Sequence, residues 1–410
     1  MSESFDIVVF GATSFVGQIL CRHLFARHGA SGGEVRWAMA GRSRGKLERV
    51  RQDLGAGAGD IPLLLANADD ETALTTLCQQ TRVVISTVGP YALYGSELVR
   101  ICAESGTDYC DLTGEVQWIR RMIDANEAAA KRSGARIVHC CGFDSVPSDL
   151  GLQFFQQEAR NRFGAPVERV KMRVKAARGG FSGGTVASLM NVVKEAKQDP
   201  GLRKQLANPH LLCPPDAQRG ARQPNVTFAE YDEDARSWVA PFVMAAINTR
   251  VVHRSNAIAG FPYGQSFQYD EAMMTGISSK GRLMAMSVSL GLAGFMAASV
   301  IPPSRWVLER FVVPKPGEGP TPKEQEAGFF DLRFLGHGPD GELLVTKVTG
   351  DRDPGYGSTG KMLGEAGACL ALDLPEDAEG GFWTPATLLG DAFVERLQAH
   401  AGLKFEVVSS

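Results

Sequence analysis

Ile7-Val8-Val9-Phe10-Gly11-Ala12-Thr13-Ser14-Phe15-Val16-Gly17 is the stretch from which the fold can be read. A β-branched and aromatic run ends in a glycine, a small polar turn follows, and a second glycine stands where an apolar helical pattern begins. That order predicts the strand–turn–helix entry of a dinucleotide-binding fold. Gly11 lets the chain turn off the strand, and Gly17 lets the first helix lie close to the sheet. The backbone N–H groups of the turn, from Ala12 through Thr13 and Ser14 to Phe15 and Val16, surround a helix start whose dipole favours a pyrophosphate. The middle glycine of G-x-G-x-x-G is missing, which makes the turn closer to the G-A-T-x-x-x-G form of NADP-type enzymes.

The second strand carries the choice between the two nicotinamide cofactors. It ends Ala40-Gly41 and is followed by Arg42-Ser43-Arg44-Gly45-Lys46. An NAD site usually places Asp or Glu here for the ribose 2′-hydroxyl. A carboxylate would repel a 2′-phosphate, whereas guanidinium and ammonium groups bind it through charge-assisted hydrogen bonds. Gly41, Arg42, Ser43 and Lys46 are therefore assigned to the adenosine end, and the expected cofactor is NADP(H). The plain alternative is a solvated helix start.

A chain of 410 residues holds two domains with a substantial core, and a formal charge of −3 gives no reason to expect a nucleic-acid partner. Residues 1–6 are polar and lead directly into a strand, with no signal or transit pattern. The eight cysteines lack C-x-x-C or Cys/His ligand spacing. No metal site is expected, and the thiols read as reduced in a cytoplasmic protein. The neighbouring Cys140 and Cys141 read as small core residues.

Strands expected at 7–10, 35–40, 61–66, 83–87, 109–111 and 136–140 alternate with helical stretches such as 96–104 and 116–132. This predicts an α/β fold: an N-terminal Rossmann domain over 1–150 with a doubly wound parallel sheet. From Arg169 the pattern changes to charged–apolar alternation. Strand-like runs at 169–177, 225–231, 267–269, 329–335 and 343–349 predict a second, α+β domain over 151–350. Its sheet is expected to be mostly antiparallel.

Ligands of a doubly wound sheet bind outside the carboxyl ends of its strands. Three loops qualify. In Val88-Gly89-Pro90-Tyr91-Ala92-Leu93-Tyr94-Gly95, Val88, Gly89 and Pro90 bring stiffened backbone to the cofactor, while Tyr91 and Tyr94 offer phenolic proton donors. The second loop is Asp111-Leu112-Thr113-Gly114-Glu115. The third is Gly142-Phe143-Asp144-Ser145-Val146-Pro147-Ser148-Asp149, in which Asp144 and Ser145 lie nearer the expected reaction centre and Ser148 or Asp149 suits a helix cap.

Taken together, G-A-T-S-F-V-G, A-G-R-S-R, V-G-P-Y-A-L-Y-G, D-Y-C-D-L-T-G-E, C-G-F-D-S-V-P-S-D and the late G-G-F-W-T-P-A resemble the saccharopine dehydrogenase-like oxidoreductases. The chain is most similar to their trans-acting enoyl reductase branch. The resemblance spans nearly the whole chain. It implies an inserted second domain, C-terminal residues 351–410 packed back on the first, and an acyl or lipid-like substrate, carrier-bound in that branch. Saccharopine-forming enzymes carry a G-x-D-P-G-like loop where this chain has Gly142–Pro147, a departure that sets it apart from amino-acid chemistry. The implied activity is NADPH-dependent reduction of an activated C=C bond. The alternatives are a C=N or C–N oxidoreductase and a lipid-associated nucleotide-fold protein with little catalysis. A homodimer is expected.

Three further stretches invite a functional reading. Residues 283–301 run without a charge between Arg282 and Arg305. They suit a buried or subunit-interface helix, a cover for an acyl tunnel, a peripheral membrane contact or a spanning segment. Gly180-Phe181-Ser182-Gly183-Gly184 matches G-x-S-x-G, but no Asp/Glu and His follow in a hydrolase context. Gly355-Tyr356-Gly357-Ser358-Thr359-Gly360-Lys361 approaches a P-loop, with Met362 where a Mg²⁺-binding hydroxyl belongs. A helix start after a glycine-rich turn explains it better, with exposed N–H groups able to meet an anion.

Overall fold

Successive residues of the first strand face opposite sides of its sheet, and all of Ile7 to Phe10 are buried. Ile7 and Val9 belong to one apolar core, Val8 and Phe10 to another. A strand covered on both faces reads as an unbroken apolar run, as this one does. The computed structural model describes residues 5–179, 183–217, 220–300, 319–375 and 377–408.

The first half builds β1 (Phe5–Phe10), α1 (Phe15–His28), β2 (Trp37–Gly41), α2 (Arg44–Asp53), β3 (Leu63–Leu65), α3 (Glu71–Cys78), β4 (Thr81–Ser86), α4 (Tyr91–Tyr94), α5 (Ser96–Ser105), β5 (Asp108–Asp111), α6 (Val116–Ser133) and β6 (Arg136–Val138). These strands form a parallel sheet in the order β6-β5-β4-β1-β2-β3. A seventh strand, β13 (Gly381–Trp383), adds to its edge in parallel with β6. The strand order reverses direction between β1 and β4, which is the switch point where a ligand crevice opens.

The second sheet is built from β7 (Arg169–Arg178), β8 (Glu230–Asp232), β9 (Ser237–Pro241), β10 (Gln268–Gly276), β11 (Phe329–His337), β12 (Leu343–Gly350) and β14 (Leu403–Val407). Their order is β14-β12-β11-β7-β10-β9-β8. All neighbours are antiparallel except β7 and β10. This is the mostly antiparallel sheet the alternation predicts, with one parallel pair. The run expected at 225–231 forms strand only from Glu230, while β9, β13 and β14 are too short or too mixed in composition to stand out.

Helix α7 (Val146–Phe163) leaves β6 and lies on the second sheet: a Cβ on its Gly151 would meet Phe334 at 2.5 Å and Val348 at 2.9 Å. The Thr359–Leu372 helix covers one face of the first sheet. Its glycines recur at helical spacing. A Cβ at Gly360 would meet Ile19 at 2.7 Å, at Gly364 His23 at 2.9 Å and at Gly367 Ile85 at 2.3 Å. The stretch that approaches a P-loop is thus a close-packing helix start. Asp353 accepts from the amides of Tyr356 and Gly357, at 3.0 and 2.9 Å, so the N–H groups expected to meet an anion already have a carboxylate. Of Gly180–Gly184, residues 180–182 lie outside the described residues. All eight cysteines are buried thiols, Cys140 and Cys141 included.

Candidate functional site

The turn after β1 is held by a relay of short side chains. Ser14 caps α1 by accepting from Gly17 N at 2.9 Å, and its hydroxyl donates to Thr87 Oγ1 at 2.9 Å. Thr87 Oγ1 in turn donates to the Gly11 carbonyl at 2.8 Å, locking the turn to the end of β4. Gly11 has φ +90°, and a Cβ there would stand 2.6 Å from Val88 Cγ2. A Cβ on Gly17 would stand 2.3 Å from the Gly11 carbonyl oxygen. Both glycines are required by geometry. Gly41 is different: a Cβ would reach only Leu47, at 3.6 Å, an ordinary contact.

Ala12 is fully buried and its amide bonds Ala40 O. The Thr13 carbonyl accepts from Gln18 Nε2. At a helix start the amides of Phe15 and Val16 have no intrahelical acceptor, and no side chain supplies one among the described residues. The Phe15 ring is used for packing, edge-on to Tyr356 at 4.7 Å and against Gly319.

Beyond β2, Arg42, Arg44 and Lys46 are exposed and make no ion pair among the described residues. Ser43 is the N-cap residue of α2, yet its hydroxyl caps no amide, and the first turn holds no acid. Unpaired cations, a free hydroxyl and a helix N-terminus are the donor set a ribose 2′-phosphate needs. The fit rests on these groups together with the cradle that a Cβ at Gly11 or Gly17 would fill. Replacing both Arg42 and Arg44 by alanine should weaken NADPH about 10- to 100-fold in a fluorescence titration while leaving NADH nearly unchanged.

The loops past β4 and β5 meet around buried Glu115. Its Oε1 accepts from Tyr91 N at 2.7 Å and Ser188 Oγ at 2.8 Å, and its Oε2 from Ala92 N at 3.0 Å. Glu115 therefore anchors the start of α4 and ties α8 (Gly183–Gln198) to the site. Burial raises its carboxyl, while these donors pull it back. Asp111, also buried, accepts from Tyr109, His139 Nδ1 and the amides of Thr113 and Cys140. It staples the third loop to the second.

Tyr91 is buried, packs on Trp118 and donates its hydroxyl to Ser86 O at 3.0 Å. Burial pushes its phenol well above the ordinary value, with the Asp111 charge adding to the rise. The proton-donor expectation meets a phenol already committed to backbone. Tyr94 points to the surface, 48% exposed. The Gly89–Pro90 bond is cis, and Gly89 is exposed.

Asp144 is half-buried, and its carboxylate has no hydrogen bond or ion pair among the described residues. One of its oxygens lies 4.0 Å from where a Gly114 Cβ would be, which places it against the second loop. Desolvation alone raises it to about 7. The next residue, Ser145, holds φ +118°, a conformation a non-glycine residue adopts only under outside constraint. Its hydroxyl donates to Asn248 Oδ1 at 3.2 Å, and Asn248 Nδ2 donates to Glu271 Oε2 at 2.8 Å. Tyr269 holds the other Glu271 oxygen at 2.9 Å, and burial raises Glu271 to about 7. Ser148 and Asp149 do not cap α7: the helix starts at Val146 with Ser145 as a N-cap residue that makes no side-chain bond. Asp149 instead accepts from Ser255 Oγ at 2.5 Å and Ala386 N at 2.9 Å, fastening the Gly381–Ala386 stretch.

Asn248 and Glu271 carry no local signal in the sequence, because they reach the loop only through the second domain. Glu115 stands in a quoted motif, but its task is invisible until α4 folds over it. The described residues contain no group of three or more His, Cys, Asp or Glu side chains placed to hold a metal.

Residues 7–138 match the saccharopine dehydrogenase NADP-binding domain family. A Mycobacterium tuberculosis protein whose name assigns it provisionally to the trans-acting enoyl reductases is 40% identical over 420 residues, covering 98% of this chain and 97% of that one. A trans-acting enoyl reductase of Mycobacterium bovis is 37% identical over 421 residues, covering 96% of each. Among solved structures, apo saccharopine dehydrogenase (L-Glu forming) of Saccharomyces cerevisiae superposes with a TM-score of 0.54 at 12% identity, covering 99% of this chain and 100% of that one; the likeness is one of fold. The first domain binds NADP(H).

Proposed function

Because the chain belongs to the saccharopine dehydrogenase-like oxidoreductases, in the branch of the trans-acting enoyl reductases, we propose that it reduces the C=C bond of an enoyl thioester presented on a carrier. Asp144 carries this reading. An unpaired carboxyl raised to about 7 retains a proton near neutral pH, at the strand ends where a substrate would lie. NADPH, when bound, supplies hydride. Hydride addition at the β-carbon puts negative charge on the thioester oxygen, and the α-carbon then takes up a proton. Asp144 is the donor of that proton, since the Tyr91 hydroxyl is held by Ser86 O. In this reading the Gly89 amide, which has no acceptor among the described residues, stabilises the oxygen. Ser145, Asn248 and Glu271 position the Asp144 loop.

The test is single-turnover consumption of NADPH against enoyl thioesters and, separately, imino acids. Oxidation with the enoyl thioester alone is expected. Oxidation with imino acids alone would replace this reading with saccharopine-type chemistry, and oxidation with neither would remove the catalytic claim.

A further inference from the structure

Helix α11 (Ser279–Val300) is turned inside out. The residues it buries are small or polar: Gly281, Ala285, Ser289 and Ser299. The large residues it presents to solvent are apolar, with Leu283 at 66%, Met284 at 56% and Leu290 at 60% exposure, beside Ile277 at 72%. Soluble proteins seldom leave so large an apolar surface uncovered. By length and composition the helix could cross a membrane, yet one side of it rests on β9 and β10. A spanning orientation is therefore excluded for the face that packs, and the outer face is what needs a partner.

The shape of that face selects the partner. At about 100° per residue, Leu283, Ser287, Leu290, Gly294 and Ala297 run down its centre, with Met284 and Gly291 on one flank and Met286 and Ala293 on the other. A helix pairing with a second copy buries a narrow seam and carries charges on the flanking positions. Here the flanks carry no charge either, so the outward uncharged sector spans about half the circumference. Within α11 the charges lie at its start: Lys280 and Arg282 precede the apolar run, and no Asp or Glu occurs from 272 to 308. Lys280 is exposed, and Arg282 lies over the Trp238 ring at 5.2 Å. A broad apolar face with a cationic end and no carboxylate matches a bilayer surface bearing anionic headgroups.

We propose that α11 seats its outer face in the interfacial layer of an anionic lipid bilayer, making the protein monotopic. The full chain is tested by co-sedimentation with phosphatidylcholine vesicles, alone and mixed with phosphatidylglycerol. Pelleting with the mixed vesicles and little with the neutral ones is expected. Replacing Leu283→Glu and Leu290→Glu together should lower the bound fraction about tenfold, and Lys280→Glu should reduce the preference for anionic vesicles. Unchanged NADPH affinity and thermal midpoint identify folded variants. Full recovery of the wild-type protein in the supernatant overturns the proposal. So does equal pelleting of wild type and double variant. Light scattering that shows a dimer converted to monomer by the double substitution, with no vesicle binding, assigns the face to a second copy instead.

Discussion

Gly17→Ala is expected to weaken NADPH binding by at least about 100-fold, on the scale of backbone displacement at a site with no slack. The added methyl would sit 2.3 Å from the Gly11 carbonyl oxygen, 2.9 Å from Ser14 Oγ and 3.0 Å from Thr87 Oγ1. The nearest of these is backbone and cannot swing aside. Helix α1 would have to move off the turn, breaking the Ser14–Thr87–Gly11 relay and taking the Phe15 and Val16 amides with it. Fluorescence titration measures the loss, with a thermal melt to show how much folded protein remains. Gly41→Ala is the internal control: its new methyl makes only ordinary contact with Leu47, so binding should change less than about threefold. Equal affinities for wild type and Gly17→Ala would remove the turn from the cofactor site.

The second large effect is at Asp144. Asp144→Asn should lower kcat about 100- to 1000-fold with KM little changed, the range expected when a positioned proton donor is lost. The pH profile separates a chemical role from a structural one. A donor titrating at about 7 is active in its protonated form. The wild-type kcat should therefore be level below that value and fall as pH rises above it, whereas the asparagine variant should be slow at every pH. The substitution should act on stability with the opposite sign. The folded carboxyl binds its proton more tightly than an unfolded one at 3.8. The stability it contributes is present below that unfolded value and is lost as pH rises through about 7. Above neutrality, where the wild type must keep a charge in a desolvated place, Asp144→Asn should melt higher than the wild type. A variant that loses turnover while gaining thermal stability cannot owe its inactivity to misfolding. A full-speed Asp144→Asn enzyme would return the donor role to Tyr94 or to water.

The cofactor half of the site was readable because its determinants are consecutive. Strand, turn, capping serine and first helix follow one another within Ile7–Gly17, and the cationic residues follow the next strand directly. Local sterics and helix-end electrostatics act over such distances, so order along the chain suffices. The two sheets were readable for a similar reason: a strand covered on both faces is apolar throughout, while one covered on a single face alternates. Strands β13 and β14 were not, since short strands are fixed by the edge they join.

The reacting half depends on contacts that distance along the chain conceals. Tyr91 reads as a donor until its hydroxyl is seen bonded to Ser86. Ser145 looks unremarkable until its backbone is strained, and the groups that brace it come from the second domain, Asn248 from the Ala245–Ile258 helix and, behind it, Glu271 from β10. The 283–301 run admits a core, interface, tunnel-cover, membrane-contact or spanning reading, because an apolar composition does not say which face is covered.

The sequence by itself determined a doubly wound nucleotide domain and the phosphorylated form of its cofactor, since both follow from neighbouring residues acting through backbone geometry and charge. Only the tertiary structure decided which carboxyls are desolvated, how the Asp144 loop is braced and which side of α11 meets solvent. Desolvation and burial are set by atoms that arrive from distant parts of the chain.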